Sequence, residues 1–358
     1  MLYIGLMSGT SMDGIDAVLM HCPENALVCG LTKKYSAEII ARLESMKTGV
    51  TTLADICQLN TLIGREFAGA VQDLLEKAGV SAKSITAIGS HGQTVCHNTQ
   101  TAIPYTMQLG CAHTIASLTG IKVIADFRTK DIVNGGQGAP FAPLYHQELF
   151  SKYQTPLAVI NIGGISNITY IDSQGHTRGW DIGPGNCLMD AWIQKYANKS
   201  YDVEGLWARS GLVIEALLIQ LLADPFFKLE PPKSLGKEYF SNTWLHQYIK
   251  ETYKPEDIQA TLLALTAYTI AQTIKNIGGL SALYLCGGGV HNTYLVDFLR
   301  SLLPECKLYD SAEVGLHPDY LEGMMFAWFA YKTVNQTAVD LSAITGSKCP
   351  AILGAVYY

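Results

Sequence analysis

The chain has 358 residues, 48% of them hydrophobic and 16% charged, which gives ample core and room for two or three domains. A net charge of −6 supplies neither the basic footprint of a nucleic-acid binder nor a polybasic membrane patch. No apolar run approaches the ~18–20 residues of a membrane span, and the first residues lack the basic region and cleavage site of a secretory signal.

The apolar run 2–6, a turn over 7–16 and a second apolar run over 17–20 predict a β-hairpin, which residues 26–35 extend to a meander. At its tip Gly9 and Gly14 permit positive φ and close backbone approach, and the hydroxyls of Ser8, Thr10 and Ser11 suit phosphate oxygens. Asp13 and Asp16 would repel a bare phosphate, so they make chemical sense there with a cation such as Mg²⁺ between. An ordinary polar hairpin tip has a similar composition, but this one is echoed downstream. Residues 51–79 carry Ile56, Leu59, Ile63, Phe67, Val71 and Leu74 at helical spacing and stop at Gly79. A short buried strand over 85–89 leads into a loop, 90–94, that contains His91 and Gln93. A helix is expected over 111–118 and a strand over 122–127. The polar, glycine-rich stretch 128–138 and the APFAP run at 139–143 then break the periodicity, and a domain boundary is placed at 130.

The pattern restarts with a strand over 157–162, a turn over 163–167 and a strand over 168–171, the same grammar as residues 2–20. GWDIGPG at 179–185 leads into a helix over about 186–197, with Pro184 near its first turn. Helical periodicity returns over 213–222 and 259–277, followed by a strand over 283–286, three glycines, a helix over about 292–303 and a last long helix over 318–331. Two similar α/β lobes are predicted: residues 1–130, completed by about 337–358, and residues 131–336. Both hairpin tips would grip a phosphate chain. Gly287, Gly288 and Gly289 suit close approach of a base or ribose, and the helix that follows adds a favourable dipole. Neither a Gly-x4-Gly-Lys-Ser/Thr loop nor a Gly-x-Gly-x-x-Gly turn follows any strand, which disfavours a P-loop enzyme and a dinucleotide dehydrogenase. Nine cysteines without a Cys-x-x-Cys pair, several in apolar runs such as those around Cys57 and Cys286, predict reduced buried thiols in a reducing cytoplasm.

Three glycine-turned stations in this order resemble the actin/Hsp70/sugar-kinase superfamily. Within it, IGLMSGTSMDGID (4–16), GSHGQTV (89–95), ADFRTKDIVNGGQGAPFAP (125–143), NIGGISN (161–167), WDIGPGN (180–186), CGGGVHN (286–292) and PDYLEGMMFAW (318–328) resemble the anhydro-N-acetylmuramic acid kinase family over most of the chain. The segment 200–253 matches least. The resemblance implies a fold of two ribonuclease H-like lobes with an ATP cleft between them, in a cytoplasmic and usually dimeric enzyme of bacterial cell-wall recycling. It implies a reaction in which ATP and water open the internal bridge of 1,6-anhydro-N-acetylmuramate to give the 6-phosphate. ATP would be held by Gly9, Thr10, Ser11, Met12, Asp13, Gly14, Ile15 and Asp16, by Asn161, Gly163, Gly164, Ser166 and Asn167, and by the three glycines at 287–289, with Asp13 and Asp16 candidates for Mg²⁺.

Opening an intramolecular acetal needs water at the anomeric carbon, and a carboxylate opposite the ATP can serve as its base. Asp181 matches the family's catalytic aspartate; seen alone it would cap the following helix, whose N-terminus would lower its pKa. Glu322 lies on an otherwise apolar helix, as a dipole partner or, as the resemblance implies, an active-site acid holding the water or the sugar. Arg128 follows a strand, where α/β ligands bind, and its fork suits the sugar's lactyl carboxylate; a structural salt bridge is the alternative. His91 and Gln93 suit sugar hydroxyls. His91, Cys96 and His97 lack the second ligand pair of a zinc site. Asn161, Ser166 and Asn167 belong to the second phosphate clamp, whereas His291 and Asn292 cap a helix. Two other readings stay open: a kinase of the same superfamily acting on a plain hydroxyl, and a non-catalytic ATP-switched module of Hsp70 type.

Overall fold

The computed structural model describes residues 1–9, 14–47, 49, 51–231, 233–235, 239–311 and 317–358. Thr10, Ser11, Met12 and Asp13 of the first hairpin tip lie outside the described residues. The strands are β1 (Leu2–Ser8), β2 (Ile15–His21), β3 (Ala26–Lys33), β4 (Ile85–Asn98), β5 (Tyr105–Leu109), β6 (Val123–Ala125), β7 (Leu157–Ile162), β8 (Ile165–Ile171), β9 (Thr177–Pro184), β10 (Ala282–Cys286), β11 (Leu308–Asp310) and β12 (Ala355–Tyr357). The chain divides into two units, Met1–Tyr145 with Tyr320–Tyr358, and His146–Asp319.

In the first unit the sheet order is β12-β6-β4-β1-β2-β3, with β5 beside β4. The strands β1, β2 and β3 form the expected antiparallel meander, and β4 and β6 continue from β1 in parallel. The second unit has the order β11-β10-β7-β8-β9, again a meander (β7, β8, β9) continued by two parallel strands. The half-chain repetition visible in the two hairpins thus extends through both sheets, and each is of ribonuclease H-like type.

Local chemistry explains the main helices. Thr52 and Asp55 form a reciprocal capping box at the start of the helix Leu53–Ala78, and Gly79 ends it in the left-handed conformation. Its stripe of Leu59, Ile63, Phe67, Val71 and Leu74 is buried against Ile4, Leu6, Ile15 and Leu19 of the sheet, each side chain worth about 1.5–3 kcal/mol on burial. The central helix of the second unit, Pro255–Ile277, opens with proline in its first turn and is buried along most of its length.

The last long helix, Leu321–Val334, packs on β1, β4 and β2 and so belongs to the first unit rather than to a lobe ending near 336. Glycines make this possible: a Cβ on Gly5 would strike the Gly323 carbonyl, and one on Gly89 would strike that of Phe326. The helix backbone therefore rests directly on the sheet. The other boundary falls after Tyr145, whose ring packs on Trp328 and whose hydroxyl reaches Asn25 in the same unit.

Three segments differ from their sequence reading. Residues 90–94 are strand, because β4 runs on through Asn98 and pairs with β5; Gly92, at φ +79, bends it where a Cβ would meet the Leu109 carbonyl. The strand expected to reach 127 ends at Ala125, since Asp126 at φ +61 turns the chain into the helix Phe127–Val133. The turn 163–167 is shorter, with Ser166 and Asn167 already in β8. All nine cysteines are free; Cys286 is buried as expected, while Cys57 is exposed.

Candidate active site

In the first unit, Ser8 at the end of β1 donates to the Gly14 carbonyl at 2.9 Å and to Gln93 Oε1 at 2.7 Å. Gln93 donates in turn to the Gly9 carbonyl at 3.2 Å and the Thr94 carbonyl at 3.4 Å, and Tyr35 donates to its Oε1 at 3.4 Å. The amide is therefore engaged as a brace behind the first hairpin tip. Ser8, its nearest partner, was legible only as one more hydroxyl in that turn. Ile15 opens β2 with its side chain in the core. Asp16 accepts the Thr32 hydroxyl at 2.6 Å.

His91, Arg128 and Glu322 gather on the same unit. Arg128 sits in the first turn of Phe127–Val133 rather than in a loop. His91 Nδ1 lies 2.9 Å from the Gly92 carbonyl, so it carries the proton, and Nε2 accepts Arg128 Nε–H at 2.9 Å. The ring is neutral: burial first, then the Arg128 charge, holds its pKa well below the ordinary range. Arg128 also donates to the Gly138 carbonyl at 2.9 Å. Gly138 is held in turn through its N–H by buried Asp131, which accepts from it at 2.7 Å and from the Thr345 hydroxyl at 2.8 Å. Burial brings the guanidinium down to about 10, against the opposing pull of the Glu322 carboxylate in the first turn of Leu321–Val334. Beside them a cavity of about 380 Å³ is lined by Asn60, Ser90, His91, Gln108, Asp126 and Thr129. Among the described residues Ser90 Oγ, fully buried, has no hydrogen-bond partner.

In the second unit, the Gly163–Gly164 turn docks on the start of the helix Cys187–Ala197. The Gly163 carbonyl accepts from Asn186 N–H at 2.8 Å, and the Gly164 carbonyl from Gly185 at 2.8 Å and Cys187 at 3.1 Å. Ser166 Oγ, buried at the base of this turn, has no partner among the described residues. Cys286 pairs in register with Asn161, which brings the glycines of 287–289 beside the turn. Gly287, at φ +79, could not carry a Cβ without striking Asn161 Oδ1, and a Cβ on Gly288 would meet nothing within 4 Å. The second hairpin and the third glycine station thus converge. Asn292 caps the helix Thr293–Leu302 through Leu295 N–H, as expected, while His291 pairs with Asp319 at 3.0 Å.

Asp181 lies within β9, paired with Asn167. Its N–H donates to the Lys233 carbonyl at 2.9 Å, and its carboxylate accepts Leu235 N–H at 2.7 Å. It does not cap the helix Cys187–Ala197. Burial pushes its pKa up from 3.8 to about 6, opposed by the Leu235 hydrogen bond. The expected lowering by a helix N-terminus is thus reversed: Asp181 lies inside β9, and burial is the larger influence on its carboxylate. No signal in the sequence ties that segment to Asp181.

A family model described as anhydro-N-acetylmuramic acid kinase matches residues 1–358. The chain is 62% identical over 358 residues to the anhydro-N-acetylmuramic acid kinase of Legionella pneumophila (strain Lens), with 99% of this chain and 98% of the relative covered. It is 44% identical over 361 residues to the protein of the same name from Coxiella burnetii (strain Dugway 5J108-111), with 99% and 97% covered. The solved component A of (R)-2-hydroxyglutaryl-CoA dehydratase from Acidaminococcus fermentans shares the fold at a TM-score of 0.51 and 12% identity, over 94% of this chain and 99% of that one. Matched from end to end, the chain belongs to the anhydro-N-acetylmuramic acid kinase family, ATP-using kinases of an anhydro amino sugar that serve peptidoglycan recycling.

Proposed function

We propose that Asp181 is the general base with which this chain opens the internal bridge of 1,6-anhydro-N-acetylmuramate while ATP phosphorylates the departing oxygen. The observation that carries this reading is a carboxylate raised to about 6 by burial, a base poised near neutral pH, in the strand next to Asn167 of the second hairpin. Asp181 takes the proton of a water as that water attacks the anomeric carbon. The bond from that carbon to the bridging oxygen breaks, and this oxygen attacks the γ-phosphorus as ADP leaves. The product is N-acetylmuramate 6-phosphate.

The nucleotide sites fit a phosphate chain. Buried Ser166 Oγ lacks a protein partner among the described residues, and Gly288, where a Cβ would meet nothing within 4 Å, leaves backbone open to close approach. We assign Gly9, Gly14, Asn161, Gly163, Gly164, Ser166, Asn167 and Gly289 to the same task, with Thr10, Ser11, Met12, Asp13 and Ile15 as the rest of the first hairpin. Asp16, with Asp13 as the second candidate, would supply carboxylates to Mg²⁺, which needs only one or two besides phosphate oxygens. When bound, that ion neutralises charge developing on the transferred phosphoryl group.

For the sugar, Arg128 is assigned to the lactyl carboxylate and Glu322 to the attacking water or the sugar. His91 and Gln93, whose polar atoms already have protein partners, are assigned the support of Arg128 and of the first hairpin. Cytoplasmic location and a homodimer are carried over from the resemblance. The testing experiment is coupled ADP release with the anhydro sugar and ATP. Sugar-dependent release that Asp181→Asn abolishes, with nucleotide affinity nearly unchanged, supports the reading; a variant that keeps most of its activity removes Asp181 from the mechanism.

A further inference from the structure

The segment that resembles the family least holds the proposed base. Residues 233 and 235 clasp Asp181 through two main-chain hydrogen bonds, and the Phe227 ring closes over β9 two residues further on, where a Cβ on Gly183 would come within 2.7 Å of it. The grip needs its own anchor. That anchor is Asp224, only 5% exposed, which accepts Phe226 N–H at 2.9 Å, the Tyr239 hydroxyl at 2.9 Å and Trp244 Nε1–H at 2.8 Å. One carboxylate therefore ties the chain at Phe226, before residues 233–235, to Tyr239 and Trp244 after them. Phe227 stacks on Phe240 (centroids 5.5 Å apart, 16° between planes), and Phe240 meets Trp244 edge-on at 4.8 Å, which locks the two ends apolar side to apolar side.

We propose that Asp224 is a positioning residue for the reaction: through Phe226, Tyr239 and Trp244 it holds the chain on both sides of residues 233–235, whose main-chain groups aim the Asp181 carboxylate. The inference rests on the reading of Asp181 as the base. Asp224 makes all three of its carboxylate hydrogen bonds to N–H and O–H groups of the protein. It acts by holding Leu235 N–H against one carboxylate oxygen, leaving the other directed for proton transfer. A misplaced base of this kind costs about 100-fold in rate for an error of about 1 Å.

Titratable groups on neighbouring elements are directed elsewhere. Lys233 donates to the Phe226 carbonyl and is acted on by Glu230, and Tyr239 donates to Asp224. The buried residues of Pro255–Ile277 are all uncharged. Burial and the Leu235 bond are thus what set the Asp181 titration.

The test compares Asp224→Asn with the unaltered full chain, using the anhydro sugar and ATP. Asparagine keeps the shape but cannot accept all three donors as a carboxylate does. The expected result is a kcat lower by about 10- to 100-fold, with KM for sugar and ATP changed by less than about threefold. The acid limb of the kcat/KM profile should also move below 6, because opening the clasp removes burial, the larger of its two causes. A folded Asp224→Asn protein with unaltered kcat and acid limb overturns the proposal. So does a loss confined to the fraction of folded enzyme, with the limb unmoved, which is what a merely structural role produces. If that variant does not fold, Trp244→Phe combined with Tyr239→Phe, which removes two donors and leaves an aromatic ring at each position, decides by the same readouts. Asp181→Asn runs alongside: if it remains active, the reading of the base has failed, and if it is inactive while the clasp variants are normal, only this inference has.

Discussion

Asp181→Asn makes a prediction about stability that is opposite in sign to its effect on activity. Folding raises the Asp181 pKa from 3.8 to about 6, and at 1.36 kcal/mol per unit the ionised carboxylate costs the folded state about 3 kcal/mol. Between these values the folded chain binds more protons than the unfolded one, so the stability linked to this group is fully present below 3.8 and is lost as pH rises through 6. Asparagine carries no charge to bury and keeps an oxygen for Leu235 N–H. Its added amide hydrogens lack partners and cost about 1 kcal/mol. The net expectation at pH 8 is a gain of about 2 kcal/mol, or about 4–8 °C in the midpoint of thermal unfolding. Near pH 4 that gain should be gone or reversed. Tryptophan fluorescence can follow it, since Trp180, Trp192, Trp207 and Trp244 all lie in the unit that holds Asp181. A variant no more stable than the parent at pH 8, or a gain that does not change with pH, would refute the buried-carboxylate argument.

Other perturbations have separate readouts. In the parent enzyme kcat/KM should rise with pH through about 6, as the Asp181 base ionises, and a flat profile between pH 5 and 7 would count against it. Arg128→Lys keeps a charge but loses the Nε–H that binds His91 and the fork suited to a carboxylate, so sugar KM should rise by about 10-fold or more with ATP KM unchanged. Gly287→Ala forces a side chain onto a residue at φ +79 and into Asn161 Oδ1; about 1–3 kcal/mol of stability and much of the ATP affinity should go, with sugar affinity spared, as titration calorimetry would show.

How much of this was legible depends on the range of the interaction. Gly79 announces the end of its helix because capping is local, and 157–162 reads as a strand because the run is almost wholly apolar. The twin hairpins betray the twin sheets. By contrast, Gly5 and Gly89 read only as members of the apolar run 2–6 and the strand 85–89, and only the fold reveals that they admit the backbone of a helix more than two hundred residues away. That contact moves Glu322 into the first unit and shifts the boundary expected at 336. Residues 90–94 look like a loop because serine and glycine favour turns, yet pairing with β5 overrides the preference. The sign of the Asp181 shift was unreadable for a similar reason: a neighbouring helix start is visible in the sequence, whereas a covering segment tied down by Asp224 is not.

The most direct test of the central claim is turnover of the anhydro sugar with ATP in oxygen-18 water, followed by mass analysis of the product. Ring opening by attack of water predicts one labelled oxygen per product molecule, located on the anomeric carbon, and none in the phosphate. An unlabelled phosphorylated sugar would show phosphoryl transfer to a plain hydroxyl and would contradict the account.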